Sequence, residues 1–454
     1  MTGGRPRPRL FRVRELDHYP NSRQRMRILS MAVLAVLIAS YEGQIAPVVP
    51  LLLDDLDMSL TTYGAVSATA LVAGAIASMV GGRLTDTVGR VRLIVPLLML
   101  TALCCFLMTT VHSPGQLLAV RAVLSVVDGM AMAGTAPLVR DFSPRMGRAQ
   151  AFGFWTWGPV GASFLAAAVA SLTLPLFDDS WRSQFVIMGT VSLVLSVVIA
   201  LNIADLSPEL RARIVQSERE TLGRADHTEP PRVRDLFAHR AVWAHVIGIA
   251  SWLVLYVTLT VYGQTMLAES FDLTAARASQ IMAAFWTLNI LTLVLSGRLS
   301  DRLQLRKPFC VGGTVGGIVL TAYLASLIGR DDVSHLHVAI TGALIGGVMG
   351  CAYGPWMANF SENAEDIDPR LQGTAWGVFT FLTKAMAVVV LVAVPRVIES
   401  GGWRAWLIVS VCCMAVFVPA SLFFRGPWRR AKAAPEAAPE ASPQDAPAPA
   451  PASD

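Results

Sequence analysis

The chain has 454 residues, 54% of them hydrophobic and only 15% charged, with 37 basic and 32 acidic side chains and a formal net charge of +5. A soluble protein of this length could not keep so much apolar surface in solution, so the composition excludes the soluble classes and indicates a polytopic membrane protein. The basic excess lies in loops between apolar runs, where topology accounts for it, and no nucleic-acid partner is expected.

Residues 1–27 carry eight arginines and no lysine, with Pro6, Pro8 and Pro20 opposing regular structure, and read as a basic cytoplasmic arm that can touch anionic headgroups. The apolar run at 28–53 is too long for a signal-peptide core and is followed by no small-residue cleavage site, so it is retained as the first span. Further runs long enough to cross a hydrocarbon core fall near 60–81, 93–111, 117–139, 149–175 and 184–204. A polar segment at 205–240, with Pro230 and Pro231, reads as a central cytoplasmic loop. Six more runs follow near 241–267, 275–296, 309–329, 336–358, 372–396 and 404–424, which makes twelve. The tail at 425–454 turns rich in Ala, Pro and Glu and lacks the apolar content to fold, so it is expected to be disordered and cytoplasmic. The domain reading is thus an arm at 1–27, a six-helix unit at 28–204, a loop at 205–240, a second six-helix unit at 241–424 and the tail.

Loop charge supports this order. The loop after span 1 carries Asp54, Asp55 and Asp57, and the loop after span 9 has Asp331 and Asp332. The loops after even spans carry Arg83, Arg90, Arg92, Arg140, Arg145, Arg148, Arg298, Arg302, Arg306 and Lys307, which is the inside bias and sets both termini in the cytoplasm. The segment after span 10 is an exception, because Glu362, Glu365, Asp366 and Asp368 outnumber Arg370.

The stretch Gly82-Arg83-Leu84-Thr85-Asp86-Thr87-Val88-Gly89-Arg90-Val91-Arg92 has a later counterpart in Gly297-Arg298-Leu299-Ser300-Asp301-Arg302-Leu303-Gln304-Leu305-Arg306-Lys307. Pro144-Arg145-Met146 likewise returns as Pro369-Arg370-Leu371, and Trp181-Arg182 as Trp403-Arg404, as expected if one six-helix unit occurs twice. Glycines in such a stretch permit a tight turn between helices, and its Asp and Arg residues offer charge partners at helix ends. Both stretches resemble the signature loop of the major facilitator superfamily of secondary transporters, carried here by Gly82, Leu84, Asp86, Gly89 and Arg90. The second copy has Gln304 where that pattern has glycine. The resemblance implies an all-α polytopic membrane protein of twelve transmembrane helices, arranged as two six-helix bundles that rock about a central site. It also implies a cytoplasmic latch in which Gly82, Asp86 and Gly89, with Arg90 and Arg140 as partners, are matched by Asp301 and Arg302.

Polar residues inside apolar runs need a reason, because a charge at mid-bilayer costs about 2.5–3.5 kcal/mol on insertion scales. Glu42 and Gln44 lie in span 1, where a carboxyl can carry a coupling proton or be held structurally by a neighbouring helix. Lys384, one of only three lysines, falls near the middle of span 11 and can neutralise an anionic solute or pair with an acid such as Glu42. Asp128 sits mid-span 4 as a second proton-carrying candidate, and Arg121 lies seven residues earlier on nearly the same face. Trp252, Tyr256, Trp286, Asn289, Tyr353 and Trp356 can shape a site for a flat solute or serve as packing.

The six cysteines show no metal-ligand spacing and read as small core residues. The seven histidines form no nucleophile or metal constellation, so no enzyme, cofactor or metal is expected. The expected function is proton-coupled transport of a small organic solute, an organic anion on the strength of Lys384, by a monomer in the inner (plasma) membrane. The alternatives are a drug or metabolite efflux antiporter and a transport-fold sensor.

Overall fold

The computed structural model describes residues 15–142, 154–155, 157–211, 213–214, 233–330, 332–367 and 372–429. The Asn21 side chain accepts the Gln24 amide at 2.9 Å and starts helix α1 (Ser22–Glu42), so the first helix begins before the expected boundary at 28. Pro47 and Pro50 cannot continue that ladder, and the span resumes as a 3₁₀ turn (Ala46–Val48) and α2 (Val49–Asp55). The long helices α3 (Leu60–Val88), α4 (Arg90–Met108), α5 (Pro114–Asp141), α6 (Trp157–Thr173) and α7 (Trp181–Asn202) follow. After a short helix at Val233–Ala238 come α8 (Arg240–Phe271), α9 (Ala275–Leu303), α10 (Lys307–Leu327), α11 (His335–Glu365) and α12 (Gln372–Ser421).

Eleven described helices are long and apolar enough to cross a membrane. The last of them, α12, spans 50 residues and is interrupted at Gly402, where φ 66° and ψ −177° lie in a region open essentially to glycine alone. The chain reverses there. Leu391 before the break and Trp403 after it both meet Tyr262, and further along the second limb Trp406 donates to Thr258 at 2.9 Å. The two limbs of α12 are therefore separate spans, giving the twelve-helix architecture.

The expected arm and central loop are not simply peripheral. Strand β1 (Glu15–Leu16) pairs in parallel with β2 (Asp205–Leu206), with Glu15 opposite Asp205 and Leu16 opposite Leu206. Leu206 and Leu210 are buried with Ile28, Val91, Ile94 and Ile199 in one apolar cluster, so the start of the expected 205–240 loop belongs to the packed first six spans.

The Trp-Arg repeat has a physical basis. Trp181 Nε1 donates to Asp55 at 3.1 Å at the end of α2, and Trp403 Nε1 donates to Glu269 at 2.6 Å near the end of α8. Arg182 donates to the carbonyls of Thr109 and Val111 at 3.2 and 2.9 Å, and Arg404 to those of Ala325 and Ile328, so each arginine covers the open C-terminal carbonyls of a neighbouring span.

The first and last six spans meet at the end of the molecule that carries the 56–59 turn and Gly402. Thr61 Oγ1 donates to Glu399 at 2.5 Å, and the Tyr63 and Tyr262 rings meet edge to face at 5.9 Å. A Cβ on Gly64 would stand 2.3 Å from the Leu391 carbonyl oxygen, so only glycine lets α3 and α12 approach this closely.

Candidate functional site

At the opposite end, α3 remains helical through the signature stretch to Val88, and the turn falls on Gly89 alone. Its φ 104° and ψ 151° again admit essentially glycine only, which is why the stretch needs that residue. The Asp205 carboxylate accepts the Arg90 amide at 3.0 Å and the Val91 amide at 3.4 Å, placing negative charge on the N-terminus of α4. Arg90 pairs with Asp141 at 2.9 Å, and Arg211 bridges Asp141 at 3.3 Å to Asp205 at 2.6 Å. Arg92 pairs with Glu15 at 2.5 Å. Of the residues expected to form the latch, Arg90 is described in an ion pair with Asp141. Gly82 lies within α3, and the side chains of Asp86 and Arg140 lie outside those described.

In the second copy, α9 ends at Leu303 and Gln304 takes a left-handed conformation, φ 55° and ψ 37°, which a non-glycine residue can adopt at modest cost. Arg306 is a hub there, pairing with the expected Asp301 at 2.5 Å and with Glu362 at 2.9 Å. Burial pulls its guanidinium down, but hydrogen bonds to Glu362 and Asp301 more than offset this and hold it above the ordinary arginine value. Arg90 with Asp141 and Arg306 with Glu362 join corresponding spans of the two repeats. Glu362 also explains part of the acidic exception after span 10, because it answers a basic hub. The sequence reading missed Asp141, Asp205, Arg211 and Glu362. The charge surplus at 362–368 was the available signal for the last of these.

The intramembrane candidates gather from several helices. Gly129 on α5 abuts the backbone of Gly74 on α3, a small-residue crossing that fixes the turn carrying Asp128. One carboxylate oxygen of Asp128 is buried without a hydrogen bond. Lys384, on the first limb of α12, is half-buried and makes no ion pair with Asp128 within 4 Å. Arg121, two turns away on α5, is half-buried, and its Nε likewise has no hydrogen-bond partner. It acts electrostatically on the fully buried Tyr63 of α3. Glu42 is the last residue of α1, and its side chain lies outside those described, so the expected pairing of Lys384 with Glu42 has no counterpart among the described contacts. Gln44 follows it with a half-buried side chain.

The aromatic candidates form one connected ladder. Trp252 and Tyr256 lie one turn apart on α8 and stack on each other at 5.6 Å. Both stack on Tyr353 of α11, at 5.6 and 5.9 Å. Tyr353 continues to Trp356 at 6.0 Å and Trp356 to Phe360 at 5.4 Å, while Trp286 of α9 meets Tyr256 edge-on at 5.7 Å. Phe379, on the same limb as Lys384, reaches Trp356 at 5.3 Å. Trp252 and Trp356 are each 1% exposed and form the buried side of the ladder, whereas Tyr256 and Tyr353 are half-buried. Asn289 stands apart from them functionally: its amide donates to the Gly346 carbonyl at 2.9 Å and ties α9 to α11.

Chemically, the arrangement offers an acid, two cations and the faces of two tyrosines within the span region. Among the described residues, no group of His, Cys, Asp and Glu is disposed to hold a metal ion. A family model described as Major Facilitator Superfamily matches residues 28–391. The chain is 21% identical over 388 residues to the gallate transporter of Pseudomonas putida, covering 80% of this chain and 83% of that one. It is 24% identical over 355 residues to the 4-hydroxybenzoate transporter PcaK of Pseudomonas aeruginosa, covering 69% and 77%. Among solved structures, that of a D-xylose-proton symporter superposes with a TM-score of 0.67 at 16% identity, covering 90% of this chain and 98% of that one.

Proposed function

We propose, for a chain that belongs to the Major Facilitator Superfamily and transports small organic solutes, that its solute is an aromatic carboxylate carried together with protons by alternating access. The observation that carries this reading is the carboxylate of Asp128 on α5, one oxygen of which is buried without a hydrogen bond inside the first set of spans, with Lys384 inside a span of the second set. A buried charge is tolerated only when answered by an opposite one, so a proton on Asp128 and an anion beside Lys384 are mutually supportive: with Asp128 neutral, the ammonium is answered by the solute's carboxylate. Arg121 supplies a second, forked donor for that carboxylate. Tyr256 and Tyr353 receive the ring, and Gln44 contributes a polar contact from the first span. Glu42 is the alternative proton carrier. The relatives named for gallate and 4-hydroxybenzoate handle hydroxylated aromatic carboxylates, which favours this solute class. In this reading residues 28–204 and 241–424 rock against each other, both termini face the cytoplasm, and the monomer is the working unit.

The test is proton movement in proteoliposomes under an imposed 4-hydroxybenzoate gradient, comparing the intact chain with Asp128→Asn and Glu42→Gln. Proton influx that accompanies the acid in the intact protein and disappears in Asp128→Asn is the expected result. Disappearance only in Glu42→Gln transfers the proton to span 1. Proton counterflow driven by a lipophilic cation instead of the acid overturns the reading in favour of an efflux antiporter.

A further inference from the structure

The second limb of α12 ends at Ser421, but the chain does not leave the molecule there. Turns closed by Phe423 N to Ala420 O at 3.1 Å and Phe424 N to Ser421 O at 3.3 Å fold it back. Phe424, only 2% exposed, lies flat on His245 of α8, with centroids 3.8 Å apart and planes 9° from parallel, and meets Phe417 edge-on at 5.6 Å. The Arg425 amide donates to Asn363 Oδ1 on α11 at 3.1 Å, and Lys307, at the start of α10, sits over the Trp428 ring at 5.0 Å. Residues 424–428 therefore touch four spans of the second repeat.

His245 is the link inward. It is fully buried, its Nε2 lies 3.1 Å from the Asn363 amide nitrogen, and its ring meets Trp356 at 6.0 Å and Phe360 at 5.5 Å. Ring contacts thus run without a gap from Phe424 through His245, Trp356 and Tyr353 to Tyr256. We infer that the 424–428 segment is a positioning element for the solute site: Phe424, acting through His245, sets the orientation of Trp356 and so of the tyrosine faces that receive the ring. This rests on the aromatic-solute reading above, but its first test does not.

Stacked indoles and phenols give a near-UV circular dichroism signal that depends on their mutual orientation. In the purified full chain, Phe424→Leu keeps the apolar volume and removes the stacking face, Phe424→Tyr keeps both, and Asn363→Ala frees the Arg425 backbone. The expected result is a clear change in the near-UV spectrum for Phe424→Leu and Asn363→Ala, with the Phe424→Tyr spectrum like that of the intact chain. In 4-hydroxybenzoate uptake, the first two should raise KM about fivefold to tenfold with kcat nearly unchanged, and Phe424→Tyr should restore KM. A near-UV spectrum unchanged by Phe424→Leu, or equal loss in Phe424→Leu and Phe424→Tyr, overturns the inference. A fall in kcat or in folded yield at constant KM also overturns it, because that is all a merely structural contact would produce. If the intact chain takes up no 4-hydroxybenzoate, the solute reading fails while the spectra still decide this one.

Discussion

At the scale of single residues, the informative groups are those whose polar atoms the protein leaves unsatisfied. A buried donor or acceptor without a partner costs about 1–3 kcal/mol, and Asp128 and Arg121 both carry such atoms on one face of α5. Asn289 carries no such cost at its amide, because the Gly346 carbonyl accepts from it. Sequence position and burial could not distinguish these cases: a polar residue in an apolar run looks the same whether its partner is a neighbouring backbone or a solute. Lys384 was legible as unusual, but which acid it is proposed to act with was not, since Asp128 is far away in sequence and on another helix. Arg121→Lys replaces a planar fork by a point charge. It is expected to raise KM for 4-hydroxybenzoate about tenfold, or ~1.4 kcal/mol, with little change in maximal rate, as measured by initial uptake in proteoliposomes. An unchanged KM would remove Arg121 from the solute's path.

At the scale of elements, hydropathy alone located the spans, because length and apolar content are what a bilayer selects. Boundaries and junctions were less visible. The Asn21 cap, the interruption around Pro47 and the β1–β2 pairing all depend on hydrogen bonds that composition does not announce. The Trp-Arg repeat was visible as a pattern. Its role required seeing an acid and a row of helix-end carbonyls converge on each copy. Gly402 is the sharpest element-scale case, since φ 66° with ψ −177° is closed to residues bearing a Cβ although its surroundings are open. Gly402→Ala is therefore expected to cost about 1–3 kcal/mol from backbone strain alone, seen as a lower unfolding midpoint of the detergent-purified protein with no loss of solute selectivity.

At the scale of the whole molecule, the two sets of six spans are joined at one end by Thr61 with Glu399, Tyr63 with Tyr262, and the contact of Gly64 with Leu391. The proposed alternating access requires this seam to open and close. A bulkier residue at 64 must push the backbones apart, and overpacking of this kind costs about 1–3 kcal/mol, enough to shift a two-state balance roughly fivefold to 150-fold. Gly64→Val should hold the seam open: uptake of 4-hydroxybenzoate falls by an order of magnitude or more, while its equilibrium binding, followed by tryptophan fluorescence, persists. Loss of binding and uptake together would instead mark Gly64 as part of the solute site. The pairing of Glu15–Leu16 with Asp205–Leu206 matters to the molecule in a different way, as an event in its synthesis. A nascent chain that has threaded five spans still lacks the second strand, and with it the carboxylate that caps α4 and the bridge from Arg211 to Asp141. Only when the sixth span has passed and the ribosome has released residues 205–211 can Glu15–Leu16 pair with Asp205–Leu206. The first six spans can then close on contacts made entirely within residues 15–211, with no residue of the later spans taking part.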